Sequence, residues 1–116
     1  MNRETAKRLH DALSAGREIQ QYAANTTREQ FLEDRSLELI FERLFEIVGE
    51  AISRAEDEDP SLRQQIPEIG DFIGMRNRIA HGYDEIDNEL IWSTAIDKVP
   101  GLCLTLEQVL ANDPAD

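Results

Sequence analysis

The amino-acid sequence predicts an all-α protein, an antiparallel bundle of four to five helices, with residues 1–116 forming one domain. Three observations predict it. Apolar residues recur three and four positions apart along most of the chain, the period of a helix face. No convincing run alternates apolar and polar residues, and no hairpin signal appears. Aromatic residues at 6% and six glycines leave little material for a sheet.

The first helix is expected from Thr5 to about Ala24, with Ala6, Leu9, Leu13, Ile19 and Ala23 on one face. Asn25-Thr26-Thr27 is a polar stop and the cap of the next helix. Arg28 to Ala55 reads as the longest helix and the centre of the core, since Leu37, Phe41, Leu44, Val48, Ala51 and Ala55 step by four and three. Its outer face carries Glu38, Glu42, Glu46 and Glu50, each four residues on. Such a row of like charges repels itself, so cations are expected to meet it: Arg43, Arg54 or Arg76. Glu56 to Ser61 reads as a solvated acidic loop. A third main helix opens near Pro67, a residue suited to a first turn, and stops at Gly82, suited to a left-handed end. Asp87 or Asn88 caps a fourth through Leu90, Trp92 and Ile96. Pro100-Gly101 then breaks or kinks the path before Leu102, Leu106, Val109 and Leu110 resume an apolar face.

Composition removes several function classes. Twenty-four acids against twelve bases give a net charge of −12, which argues against binding nucleic acid over a whole surface; any such contact needs a small local cluster of cations or a pooled one. One cysteine, Cys103, excludes an internal disulfide and suits a reducing compartment. Two scattered histidines and that cysteine form no recognisable metal site, and no cofactor motif is present. No apolar run has the length of a membrane span, and the first residues do not read as a signal peptide, so a soluble cytoplasmic protein is expected.

The chemistry-bearing residues gather between Ile73 and Tyr83: Ile-Gly-Met-Arg-Asn-Arg-Ile-Ala-His-Gly-Tyr. On a helix at about 100° per residue, Ile69, Phe72, Ile73, Met75, Ile79 and Ala80 share one arc, and Arg76 falls inside it. A guanidinium there needs a carboxylate, a phosphate or a route to water. Glu46 and Glu50 are the nearest acids to expect, and such an ion pair would by itself be only structural. Gly70, Gly74, Asn77 and His81 make a second strip with little bulk, read as a helix-packing stripe or a place of close approach. Arg76 and His81 lie about 140° apart around the axis, so they converge only through unwinding, a long reach or a groove shared by two chains. His81 could equally cap the helix end, and Tyr83 could pack beside Trp92. His10 reads as a surface residue.

The stretch Arg76-x4-His81-x-Tyr83, with Asn77 and Gly82, resembles the signature of the HEPN superfamily and, through its tyrosine, the HepT toxins of HEPN/MNT toxin–antitoxin systems. Ile86-Asp87, Ile91-Trp92 and Gly49-Glu50-Ala51 extend the resemblance over essentially the whole chain. The Arg-x4-His element alone is weak; with its neighbours it is specific. Glu68-Ile69-Gly70-Asp71 departs from relatives that often carry a tryptophan there, which bears on the groove wall.

The resemblance implies a HEPN-like helical homodimer whose paired motifs face one cleft. It implies a metal-independent ribonuclease toxin of a type II/VII-like pair, silenced when a cognate minimal nucleotidyltransferase antitoxin transfers AMP onto the tyrosine. By residue type, Arg76 and His81 match the catalytic positions and Tyr83 the AMP acceptor, with Asn77 and Glu50 supporting. The residue types suit RNA cleavage. The 2′-hydroxyl is the nucleophile, an imidazole with an ordinary pKa of about 6.5 can move its proton, and a guanidinium can hold the phosphate oxygens. The alternative is a non-catalytic HEPN module that binds nucleotide or partners a nucleotidyltransferase. In that case Arg76 is locked to an acid and His81 only caps its helix.

Overall fold

The structure is a computed structural model that describes residues 1–82 and 86–113, all of whose regular elements are helices. Five are long: α1 (Arg3–Ala24), α3 (Arg35–Glu58), α5 (Ile69–His81), α6 (Asn88–Asp97) and α7 (Val99–Ala111). Two are short, α2 (Arg28–Leu32) and α4 (Leu62–Gln65). The all-α bundle expected from the sequence is therefore observed. None of these helices is long and apolar enough to cross a membrane.

Side chains along α1 fix how it meets its neighbours. Thr5 and Arg8, near its start, reach Glu58 at the end of α3, while Tyr22, near its end, meets the Phe41 ring early in α3. Met1 at the other flank pairs with Asp113, and Arg17 with Glu107 of α7. Thus α1 runs antiparallel to both α3 and α7. Gly16 makes the second approach close: a methyl placed on it would stand 2.8 Å from Cys103 Sγ. The core is built from Phe31, Phe41, Phe45 and Phe72, all fully buried, with Leu9, Ile19, Ile52 and Leu102. Trp92 of α6 lies against the rings of Phe31 and Phe41.

Several sequence expectations are corrected. The helix expected from Arg28 to Ala55 is two helices. Thr27 and Gln30 form a reciprocal cap that starts α2, and then the Asp34 carboxylate accepts from the Leu37 N–H and starts a new helix. An aspartate that binds backbone two or three residues on competes with helix continuation. The break lets Phe31 turn into the core against Phe41, with ring centres 4.7 Å apart. The acidic run is not a loop throughout, because α3 continues to Glu58. Its carboxylates are met by α1 and α4: Glu58 by Thr5 and Arg8, Glu56 by Arg63. Leu62 and Ile66 are fully buried, so α4 plugs the core beneath that turn.

Of the cations expected along the glutamate row, Arg54 and Arg76 meet Glu50, and Arg35 rather than Arg43 serves Glu38 and Glu42. Burial nevertheless pushes the Glu42 carboxyl up, with Arg35 opposing. α5 opens at Ile69, not at Pro67. Gly82 ends it at φ −122°, outside the left-handed region. Glycine is required there for space instead, since a methyl would stand 2.8 Å from the Arg78 carbonyl oxygen. Finally, α6 gives way to α7 at Lys98, before the Pro-Gly pair. Pro100 stands in the first turn of α7, where its missing N–H costs nothing, and Gly101 is helical.

Candidate functional site

The site is the outer half of α5 and the turn of α3 beneath it. Ile69, Phe72, Met75 and Ile79 are buried and hold α5 down, while Ala80, placed on the same arc by its spacing, is exposed. The two helices touch at Gly49. A methyl there would stand 2.5 Å from Arg76 Cβ and 2.8 Å from the Phe72 carbonyl oxygen, so only glycine allows this crossing. Gly70 and Gly74, read as a helix-packing stripe or a place of close approach, do not make this crossing. Gly74 has open space where a side chain would stand, and Gly70 has only the Arg63 guanidinium nearby.

With its stem against Gly49, Arg76 is half-buried and directs Nη1 to Glu50 Oε2. The other carboxylate oxygen of Glu50 accepts from Arg54 Nε at 2.8 Å. The Arg54 hydrogen bond chiefly holds the Glu50 carboxyl below its ordinary value; partial burial opposes this and Arg76 adds to it. The same pairing raises the Arg54 guanidinium. Arg76 Nε is buried and has no partner among the described residues. Of the two acids expected to meet Arg76, then, the structure selects Glu50.

His81 lies in the last turn of α5 and is exposed. Among the described residues it bonds no carbonyl and no carboxylate, so it does not act as a cap. It lines an open cavity of about 280 Å³ with Met75, Arg78, Ile79, Ile86 and Leu90. Asn77 is exposed and likewise without a partner among the described residues. Arg76 does not line that cavity. Within one chain the two principal groups therefore face different spaces, in keeping with their angular separation. Tyr83 lies outside the described residues. His10 is exposed, as expected.

Arg78 is the residue to which the sequence pattern assigned no role. It is exposed and lines the same cavity as His81. The signal was available: three and four positions to either side stand Gly74, Met75, His81 and Gly82, with no acid among them, in a chain holding twice as many acids as bases.

Comparison with known proteins points one way. The family model described as "Ribonuclease HepT-like" matches residues 12–109. A protein of Methanocaldococcus jannaschii named "Putative RNase MJ0127" is 28% identical over 102 residues, covering 88% of this chain and 84% of that protein. A protein of Thermococcus cleftensis named "Probable ribonuclease HepT" is also 28% identical over 102 residues, covering 88% of this chain and 92% of its own length. A Caldanaerobacter subterraneus protein named "Putative RNase TTE0752" is 28% identical over 85 residues, covering 73% and 75%. No solved structure shows significant similarity.

Proposed function

The chain belongs to the HepT-like ribonuclease family, and from that membership we propose that it is a metal-independent endoribonuclease. In this reading it is the toxin of a toxin–antitoxin pair, acting on RNA as a homodimer and silenced by AMP on Tyr83. The observation that carries the reading is His81: an exposed imidazole, bonded to nothing among the described residues, at the mouth of an open cavity. A histidine kept only for structure would be expected to hold a carbonyl or an acid.

RNA supplies its own nucleophile, the 2′-hydroxyl beside the scissile phosphate. His81 takes or returns that proton, as imidazole does near neutrality. Arg76 offers its remaining guanidinium N–H groups to phosphate oxygens as charge grows on them, while Glu50 keeps the guanidinium in place. Asn77, one residue on and exposed, orients either partner. Because Arg76 and His81 face different spaces within one chain, a second subunit is what brings one protomer's imidazole toward its partner's guanidinium. It also supplies a second histidine, so that acid and base are present together. A cognate minimal nucleotidyltransferase transfers AMP onto Tyr83. The added phosphodiester stands two residues from His81 and repels the RNA phosphate by charge and bulk.

One observation favours the alternative, a non-catalytic HEPN module: Arg76 is held by an acid. The deciding experiment compares RNA cleavage by the wild type and His81→Ala, with growth measured when each is expressed without the nucleotidyltransferase. Cleavage and growth arrest by the wild type alone are expected. If the wild type neither cuts RNA nor slows growth, the alternative stands.

A further inference from the structure

Nine of the twelve Lys and Arg side chains are ion-paired with described carboxylates. Among the described residues Arg3, Arg43 and Arg78 have no such partner. Arg3 opens α1, and Arg43 stands beside Glu46 in the groove between α1 and α3. Arg43 shares that groove with Glu50 and Arg54, and Arg78 alone of the three lines the cavity of His81, one helical turn before it.

The space around Arg78 is a groove. α5 and α6 are not closely packed, and two cavities lie between them, of about 210 and 280 Å³. Met75, Arg78 and Leu90 line both, so the two adjoin. At one end is Lys98, 3.5 Å from Asp71; at the other is His81. Two acids line the walls. Asp71 is shared with Lys98, and Asp87 spends Oδ1 on the Leu90 N–H as the cap of α6. The open backbone at Gly74 lets a chain lie close between the two cations.

We propose that this groove carries the incoming RNA strand, with Arg78 as a substrate-binding residue that grips a phosphate next to the scissile one beside His81. Lys98 holds the strand further out. The inference rests on the ribonuclease reading and adds to it the path of the substrate. Charge supports this occupant: a chain of −12 leaves the arginine that lines the His81 cavity without a carboxylate partner among the described residues, in a cavity open to solvent. A phosphodiester is the ligand that such a group lacks. Apart from the His81 imidazole, the lining holds no aromatic ring among the described residues, so the grip is chiefly on the backbone and tolerant of sequence.

The test measures equilibrium binding of a fluorescent, mixed-sequence oligoribonucleotide of about 12 nucleotides to full-length His81→Ala, alone and with a second substitution, across salt concentrations. Adding Arg78→Ala should weaken binding about fivefold and flatten the plot of log affinity against log salt by about 0.7. Arg78→Lys should restore most of both, and Arg43→Ala should change neither. In otherwise wild-type protein, Arg78→Ala should raise KM and leave kcat within about twofold. Unchanged affinity and slope in Arg78→Ala overturn the proposal, as does an equal loss in Arg43→Ala, which would mean diffuse attraction. If Arg78→Ala instead alters the sedimentation of the protein without RNA, the groove is a subunit interface and the proposal fails. Binding that depends on Arg78 in a protein whose wild type cuts nothing would keep the groove and remove the chemistry.

Discussion

Gly49 and Arg76 are packed backbone against stem: a methyl on Gly49 would stand 2.5 Å from Arg76 Cβ. The candidate site therefore begins with an absent side chain on α3, which lets α5 settle low enough for the guanidinium to meet Glu50.

Gly49→Ala is expected to push α5 away from α3, because one of the atoms struck is the Phe72 carbonyl oxygen, which cannot swing aside. Overpacking of this kind costs about 1–3 kcal/mol. Urea unfolding should show that loss, and RNA cleavage should fall further than stability alone explains.

Glu50→Gln removes the charge shared by Arg54 and Arg76. With Arg76 less firmly held, cleavage should drop roughly tenfold to a hundredfold while the fold persists. The same variant reports the linkage. The Glu50 carboxyl lies below its ordinary 4.5, so its contribution to stability is present above that value and is lost as pH falls through the lower one. The stability gap between wild type and Glu50→Gln should narrow below about pH 4.5 in acid unfolding curves.

His81→Ala should abolish cleavage, by roughly 10² to 10⁴-fold, and leave the melting temperature unchanged, since the side chain is exposed and bonds nothing among the described residues. Saturating chelator should not reduce wild-type cleavage. Loss of activity on chelation would overturn the metal-independent scheme.

Tyr83→Phe should remain an active nuclease that its nucleotidyltransferase cannot silence. Mass spectrometry of protein co-expressed with that enzyme should find AMP mass on the peptide holding Tyr83, and none on the variant. AMP on another residue would rule out the proposed control.

Much of the bundle was legible because each long helix carries its own apolar stripe, and the stripes of α1, α3 and α5 step by three and four without interruption. The misreadings have two causes, a local cap that outweighs apolar periodicity and contacts between elements distant in sequence. Asp34 begins a helix where periodicity alone runs on, and Phe31 uses that break to enter the core. Glu56 and Glu58 remain helical because cations arrive from α4 and α1. The site was partly readable. Arg76 stood out as a charge on an apolar arc, but whether Glu46 or Glu50 met it depended on the crossing point, set by Gly49. Gly70 and Gly74 drew attention as small residues, yet smallness does not say which face a neighbour covers. Arg78 was overlooked because local spacing shows only that its own helix offers it no acid three or four positions away, whereas the fold shows that no described acid on another helix meets it either.

Cys103 is the single thiol of the chain, and it is sealed beneath α1 with its sulfur beside Gly16. Burial, with a smaller push from Glu107, raises the thiol to about 11. At neutral pH it is thus both hidden and unreactive. Alkylation by a maleimide would consequently keep time for the parting of α1 and α7, a built-in stopwatch for local opening that requires no engineered label.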